Sequence, residues 1–149
     1  MKKLTAIFLI CVLLMSAMTA FAGNTEIIIN GEKATIAEGM GSIVNKDSRI
    51  FVPVRFLLEY FDFQVSWEDE TQTVLGFNEE GESFFMQIGN KKLFFFDKNG
   101  APKNLEEMDV APYLNYEEGR TYIPLRFIAE AMGYTVDWDQ ETDTAILVK

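Results

Sequence analysis

Histidine is absent from this 149-residue chain, and cysteine occurs once, as Cys11. Without histidine the side chain best suited to proton transfer near neutral pH is missing, and any acid-base work falls to carboxylates. Soft and borderline metals lose their favoured ligands for the same reason. Positive charge is also scarce: 13 Lys and Arg stand against 23 Asp and Glu, for a net charge of −10. No Lys/Arg cluster interrupts that acidity, so a polyanion is repelled everywhere and nucleic acid is excluded as a partner. Beyond residue 22 no apolar run is long enough to span a bilayer.

The first 22 residues differ in kind from the rest. Lys2 and Lys3 give a positive start, Leu4 to Met18 is almost wholly apolar, and Ala20-Phe21-Ala22 offers a small-x-small cleavage site. That pattern predicts a secretory signal peptide over 1–22 and a mature chain from about Gly23. A lipoprotein would need a small residue before Cys11, where Ile10 stands. Cleavage removes the cysteine, so no disulfide is expected and packing alone must hold the domain. Loss of Lys2 and Lys3 leaves 11 basic against 23 acidic residues, a net charge of −12. Such acidity keeps an exported protein soluble and, secondarily, attracts cations or a basic partner.

The mature chain contains an internal repeat. Arg49 to Phe77 aligns without a gap on Arg120 to Val148 at an offset of 71, with ten of 29 pairs identical, among them Pro53/Pro124, Arg55/Arg126, Glu59/Glu130 and Trp67/Trp138. In each copy an alternating apolar stretch runs into the proline, which forces extended geometry before it and suits the first helical position after it. Val54, Leu57, Leu58 and Phe61, like Leu125, Ile128, Ala129 and Met132, then recur at helical spacing, predicting one short helix with an apolar stripe. Gly133 stands where the helix must turn left-handed, and Asp62 takes that place in the first copy. Phe63, Val65 and Trp67, and Tyr134, Val136 and Trp138, alternate as in half-buried strands. The acidic turns Glu68 to Thr71 and Asp139 to Thr142 lead each into the second arm of a hairpin.

Another hairpin precedes each copy. Ile27 to Ile29 and Lys33 to Ile36 flank Asn30-Gly31, the strongest short hairpin signal; Phe84 to Ile88 and Leu93 to Phe96 flank Gly89-Asn90. Asp97 to Glu118, with Pro102, Pro112 and Asn99-Gly100, reads as loop, and Glu79-Glu80-Gly81-Glu82 as the joint between halves that either share one core or fold separately. The expected class is α+β: two repeated units, about 24–78 and 82–149, each an antiparallel sheet curled around one short helix.

The stretch Arg120-Thr121-Tyr122-Ile123-Pro124-Leu125-Arg126-Phe127-Ile128-Ala129-Glu130-Ala131-Met132-Gly133-Tyr134-Thr135-Val136-Asp137-Trp138-Asp139 closely resembles the signature of the copper amine oxidase N-terminal-like, or stalk, domain, and Arg49 to Trp67 is a looser copy. The resemblance covers nearly all of the mature chain. It implies an antiparallel sheet curled around a helix, in exported proteins mainly of Gram-positive bacteria, and a likeness only to the non-catalytic appendage of the oxidase. Asp62 in place of glycine, and Tyr60-Phe61 in place of a small and an aliphatic residue, depart from the pattern in the first copy. The oxidase itself needs three copper-binding histidines, of which there are none. Asn115-Tyr116-Glu117 matches the surroundings of its cofactor tyrosine over three residues only, so no cofactor is expected.

The remaining chemistry is sparse. Glu59 and Glu130 are candidate carboxylates for glycan hydrolysis, but each follows an arginine, Arg55 or Arg126, by four residues. An ion pair explains that spacing without catalysis, since a general acid needs a carboxyl set apart from such a partner. Asp137, Asp139, Glu141 and Asp143 place oxygens at alternating positions, as calcium prefers, without the central glycine and terminal glutamate of an EF-hand loop. A solvated hairpin is the competing account. Trp67 and Trp138 are expected in the core, with ligand stacking the alternative. Phe56 and Phe127 lie beside the helix stripe and either close a second layer or contact a partner. Phe94-Phe95-Phe96 cannot all face one core.

The function expected from all this is a secreted, non-catalytic, cell-surface or cell-wall-associated binding or structural module. The alternatives are a small carboxylate-dependent glycan hydrolase and a calcium-dependent adhesion module. Expected partners are a cell-wall polymer or another extracellular protein, with membrane contact only through the leader before cleavage.

Overall fold

The computed structural model describes residues 24–103 and 107–149; the expected leader, residues 1–22, lies outside them. Thirteen strands and two short helices are described, in the order β1 (Glu26–Ile29), β2 (Glu32–Lys33), β3 (Val44–Lys46), β4 (Arg49–Pro53), α1 (Val54–Tyr60), β5 (Gln64–Glu68), β6 (Thr73–Phe77), β7 (Ser83–Gln87), β8 (Leu93–Phe96), β9 (Pro102–Lys103), β10 (Tyr113–Asn115), β11 (Arg120–Pro124), α2 (Leu125–Ala131), β12 (Thr135–Asp139) and β13 (Thr144–Val148). Among the described residues no helix is long and apolar enough to cross a membrane.

The strand-to-helix junction lies one residue later than the proline rule predicts. Pro53 and Pro124 keep extended ψ angles of 126° and 118° and serve as N-caps, so the helices begin at Val54 and Leu125. Both helices end alike. Asp62 N–H donates to Glu59 O and Phe63 N–H to Leu58 O, while Gly133 N–H donates to Glu130 O and Tyr134 N–H to Ala129 O. This is the Schellman arrangement, and it requires the left-handed φ of 61° at Asp62 and 84° at Gly133. The Asn30-Gly31 turn forms as expected, both residues at positive φ.

The strands form three sheets, ordered β12-β13-β1-β2, β10-β11-β4-β3 and β5-β6-β7-β8-β9. In the central sheet β4 and β11 pair antiparallel, with Val52 opposite Ile123, Pro53 opposite Tyr122 and Phe51 opposite Pro124. Val52 and Ile123 are 71 positions apart, so each faces its own counterpart, while Phe51 and Pro53 each face the counterpart of the other, as across a two-fold axis through that pair. Each helix packs on the central strand of the other half as well as on its own hairpin: α1 on β11 and β5, α2 on β4 and β12.

Three expectations are corrected. The sheets do not each wrap one helix within one half, because the opening hairpin β1-β2 joins the closing hairpin β12-β13. That junction, β1 with β13, is parallel, not antiparallel. Of the two arrangements open for Glu79 to Glu82, the shared core is the one found: β6 and β7 pair directly across it, and Asn78 braces the turn by accepting from Glu82 N–H at 2.8 Å. The predicted loop 97–118 also contains β9 and β10, and Met108 within it is buried.

One core cluster joins both halves, with Ile27, Ile29, Leu57, Leu58, Phe84, Met86, Ile123, Leu125, Ile128 and Leu147 among its members. Burying each such side chain contributes about 1.5–3 kcal/mol. In the third sheet alternation splits the Phe triplet: Phe95 points into the core, while Phe94 and Phe96 lie on the outer face with Leu75, Phe77 and Phe85.

Candidate functional site

A cleft of about 940 Å³ opens between the two halves. The β3-β4 turn contributes Ser48, Arg49 and Ile50, the segment after the central loop Glu107 and Asp109, α2 and its cap Pro124 to Phe127 with Glu130, and the β12-β13 hairpin Val136 to Trp138, Gln140, Asp143 and Ala145. Arg49 Nε donates to Asp109 Oδ2 at 2.5 Å and an Nη donates to Asp47 O at 2.9 Å, which fixes one wall. Arg126 sits 4.0 Å from Glu130 with both side chains largely exposed, a loose pair that leaves the guanidinium available.

Trp138 stands at the rim, 38% exposed. This corrects the expectation that it and Trp67 fill the core. The strand period puts each indole on the inner face, but β5 and β12 are edge strands, so no further strand covers it. The two rings differ in hydrogen bonding. Trp67 Nε1 donates to Asp69 Oδ1 at 3.1 Å, whereas Gln140 replaces that aspartate beside Trp138, whose Nε1 meets no acceptor among the described residues. Phe127 is half-buried and lines the cleft. Phe56, its counterpart, is 7% exposed and belongs to the core, so only the layer-closing alternative holds for it.

The acidic turn is occupied with its own backbone. Asp139 Oδ1 accepts from Glu141 N–H at 2.9 Å and Thr142 N–H at 3.3 Å. The Thr142 hydroxyl and these two amides hold its carboxyl below the usual range. Asp143 Oδ2 accepts from Thr25 Oγ1 at 2.7 Å. Asp137, Asp139, Glu141 and Asp143 are not gathered around a point, and no group of three or more His, Cys, Asp or Glu with metal-binding geometry occurs among the described residues.

Glu59 and Glu130 lie on separate helices, paired with Arg55 at 3.8 Å and Arg126 at 4.0 Å. Tyr116 is 79% exposed on a turn whose Asn115 Oδ1 accepts from Glu117 and Glu118 N–H, a local brace with no partner chemistry. The buried tyrosine is another: Tyr122 donates to Glu118, accepts from Ser42 N–H at 3.2 Å and stacks on Tyr113 at 5.4 Å. Burial pushes both phenols above their ordinary pKa, and Tyr122 donates to Glu118 as a neutral phenol. Reasoning on the sequence missed the cleft itself; the one signal it held was the Asp69 to Gln140 change next to the repeated tryptophan.

No curated protein and no solved structure matches the chain. A family model described as the copper amine oxidase N-terminal domain matches residues 28–147.

Proposed function

Since the chain belongs to the copper amine oxidase N-terminal domain family, we propose that it is a secreted, non-catalytic module that holds a cell-wall polymer or another extracellular protein at the cell surface. The observation that carries this reading is the uncommitted Trp138 at the rim of the cleft. An indole with an open face and a spare N–H, flanked by Gln140 and by charges of both signs, can stack on a sugar ring and bond its hydroxyls. The two glutamates lie on separate helices, each beside an arginine and largely exposed, an arrangement that favours ion pairing over turnover. The halves are read as two copies of one strand-helix-hairpin unit, a reading supported by the β4-β11 register at the repeat offset.

The test is retention of residues 23–149 on isolated cell walls, with and without calcium. Saturable retention is expected, weakened about tenfold by Trp138→Ala, equivalent to about 1.4 kcal/mol, and little changed by Trp67→Ala or chelation. Equal retention of Trp138→Ala would discard the cleft. Release of soluble sugar from the walls would favour the hydrolase instead.

A further inference from the structure

The outer face of the β5-β9 sheet carries Leu75, Phe77, Phe85, Phe94 and Phe96, all at least partly exposed, with Phe77 at 47%. The polar residues between them, Gln64, Ser66, Thr73, Ser83 and Gln87, are uncharged, and charge enters at the margins, with Glu68 at the end of β5 and Lys92, bridged to Glu107, ahead of β8. In a chain of net charge −10 such a neutral surface stands out. The corresponding face of the β12-β13-β1-β2 sheet has Ile28, Ile146 and Val148, but Glu26, Lys33 and Asp137 lie in register beside them.

We infer that this aromatic face is a self-association surface, on which a second copy of the chain packs sheet to sheet about a two-fold axis. Ring geometry selects the partner. Phe85 stacks on Phe94 with centroids 4.4 Å apart and planes 11° from parallel, and on Phe96 at 6.0 Å and 19°. Rings stacked on one another cover their faces and turn edges outward. At Phe85, Phe94 and Phe96 a sugar, which needs an open ring face, finds little to stack on, while a second array of aromatic edges interdigitates as two sheets do at about 10 Å, with Phe77 beside the stack as the most exposed ring. Charge selects the orientation. Two copies of one acidic chain repel over most of their surface, and this uncharged face is where they approach at least cost. The same patch on both copies is self-complementary, as a closed two-fold pair requires.

The strands present about 350 Å² of projected area per copy, from strand spacings of about 4.8 Å and rises of about 3.3 Å per residue. That is well under the roughly 800 Å² per partner of a permanent pair, so the dimer is weak and concentration-dependent.

Sedimentation equilibrium of residues 23–149, which carry every described element, tests this across micromolar to millimolar concentration. The weight-average mass should climb towards twice the monomer and climb further in high salt, which screens the repulsion. Phe77→Arg, at the most exposed ring, should hold the protein at monomer mass, whereas Val148→Arg on the other sheet should leave the climb intact. Circular dichroism of both variants guards against misfolding, and Phe77→Gln provides a milder second variant expected to weaken association at least several-fold. A wild-type mass that stays monomeric throughout, or a climb equal in Phe77→Arg and wild type, overturns the proposal. So does a monomer whose wall retention is lost in Phe77→Arg, which would assign the face to the polymer. These masses are read independently of the Trp138 cleft.

Discussion

Residues 49–77 and 120–148 run through the same order of elements and spend their side-chain volume differently. Gly76 and Leu147 are counterparts, yet a Cβ on Gly76 would lie 1.9 Å from the Phe84 ring, whereas Leu147 sits opposite Ile29. One cross-strand pair is smallest against large; the other is two middle-sized residues. Similar exchanges recur: Phe56 is buried where Phe127 borders a cleft, and Asp69 occupies its tryptophan where Gln140 leaves Trp138 unbonded. A repeated strand-helix-hairpin pattern therefore dictates backbone and burial side, but the filling of each layer is settled pair by pair. Phe56 is closed off in the core, whereas its counterpart Phe127 and Trp138 border the cleft.

Transplanting residues between the halves should break this division in graded steps. The largest effect is expected from Gly76→Leu, which copies the second half into the first without its partner. Overlap with the Phe84 ring should cost more than about 4 kcal/mol in urea unfolding. The double change Gly76→Leu with Phe84→Ile recreates the Leu147-Ile29 pair and should recover most of the loss. A double variant no better than the single would show that the volumes are not exchanged in pairs.

Exchanging the helix ends should have a middling effect. Asp62→Gly relieves a left-handed aspartate and should raise stability by about 0.5–1 kcal/mol, and Gly133→Asp should lower it by about the same amount. Thermal melts that move in the same direction for both would contradict the shared Schellman geometry.

The smallest effect concerns the ion pairs beside the opening strands, Glu26 with Lys33 and Glu82 with Lys103. The Lys103 hydrogen bond holds Glu82 below its ordinary pKa of 4.5, although burial opposes it. A carboxyl with a lowered folded pKa stabilises the protein above its unfolded pKa, and loses that contribution as pH falls through the folded value. Glu82→Gln should therefore cost about 0.5 kcal/mol at pH 7 and nothing in strong acid. Glu26→Gln, on a more exposed pair, should cost less than Glu82→Gln at pH 7.

Local features were readable in the sequence because they rest on local rules. Proline before each helix, the stripes at helical spacing, Asn30-Gly31 and Gly133 all act within a few residues. What escaped depends on distant segments. No residue near Ile27 announces that its strand lies parallel to β13, for pairing of remote strands leaves no local mark. Alternation assigned Trp67 and Trp138 to the inner face correctly but could not tell that both strands are edges. The cleft draws on residues 45–50, 107–109 and 124–145, and its existence depends on how those three stretches meet.

The parallel union of β1 and β13 also has a mechanical side. Glu26 faces Thr144 and Ile29 faces Leu147, so the incoming and outgoing chain leave the pair at opposite ends. Tension applied through the two termini does not peel these strands apart bond by bond, as it would a hairpin. It slides one along the other and loads every rung of that ladder together, so the molecule resists stretching at the place where its first and last strands meet.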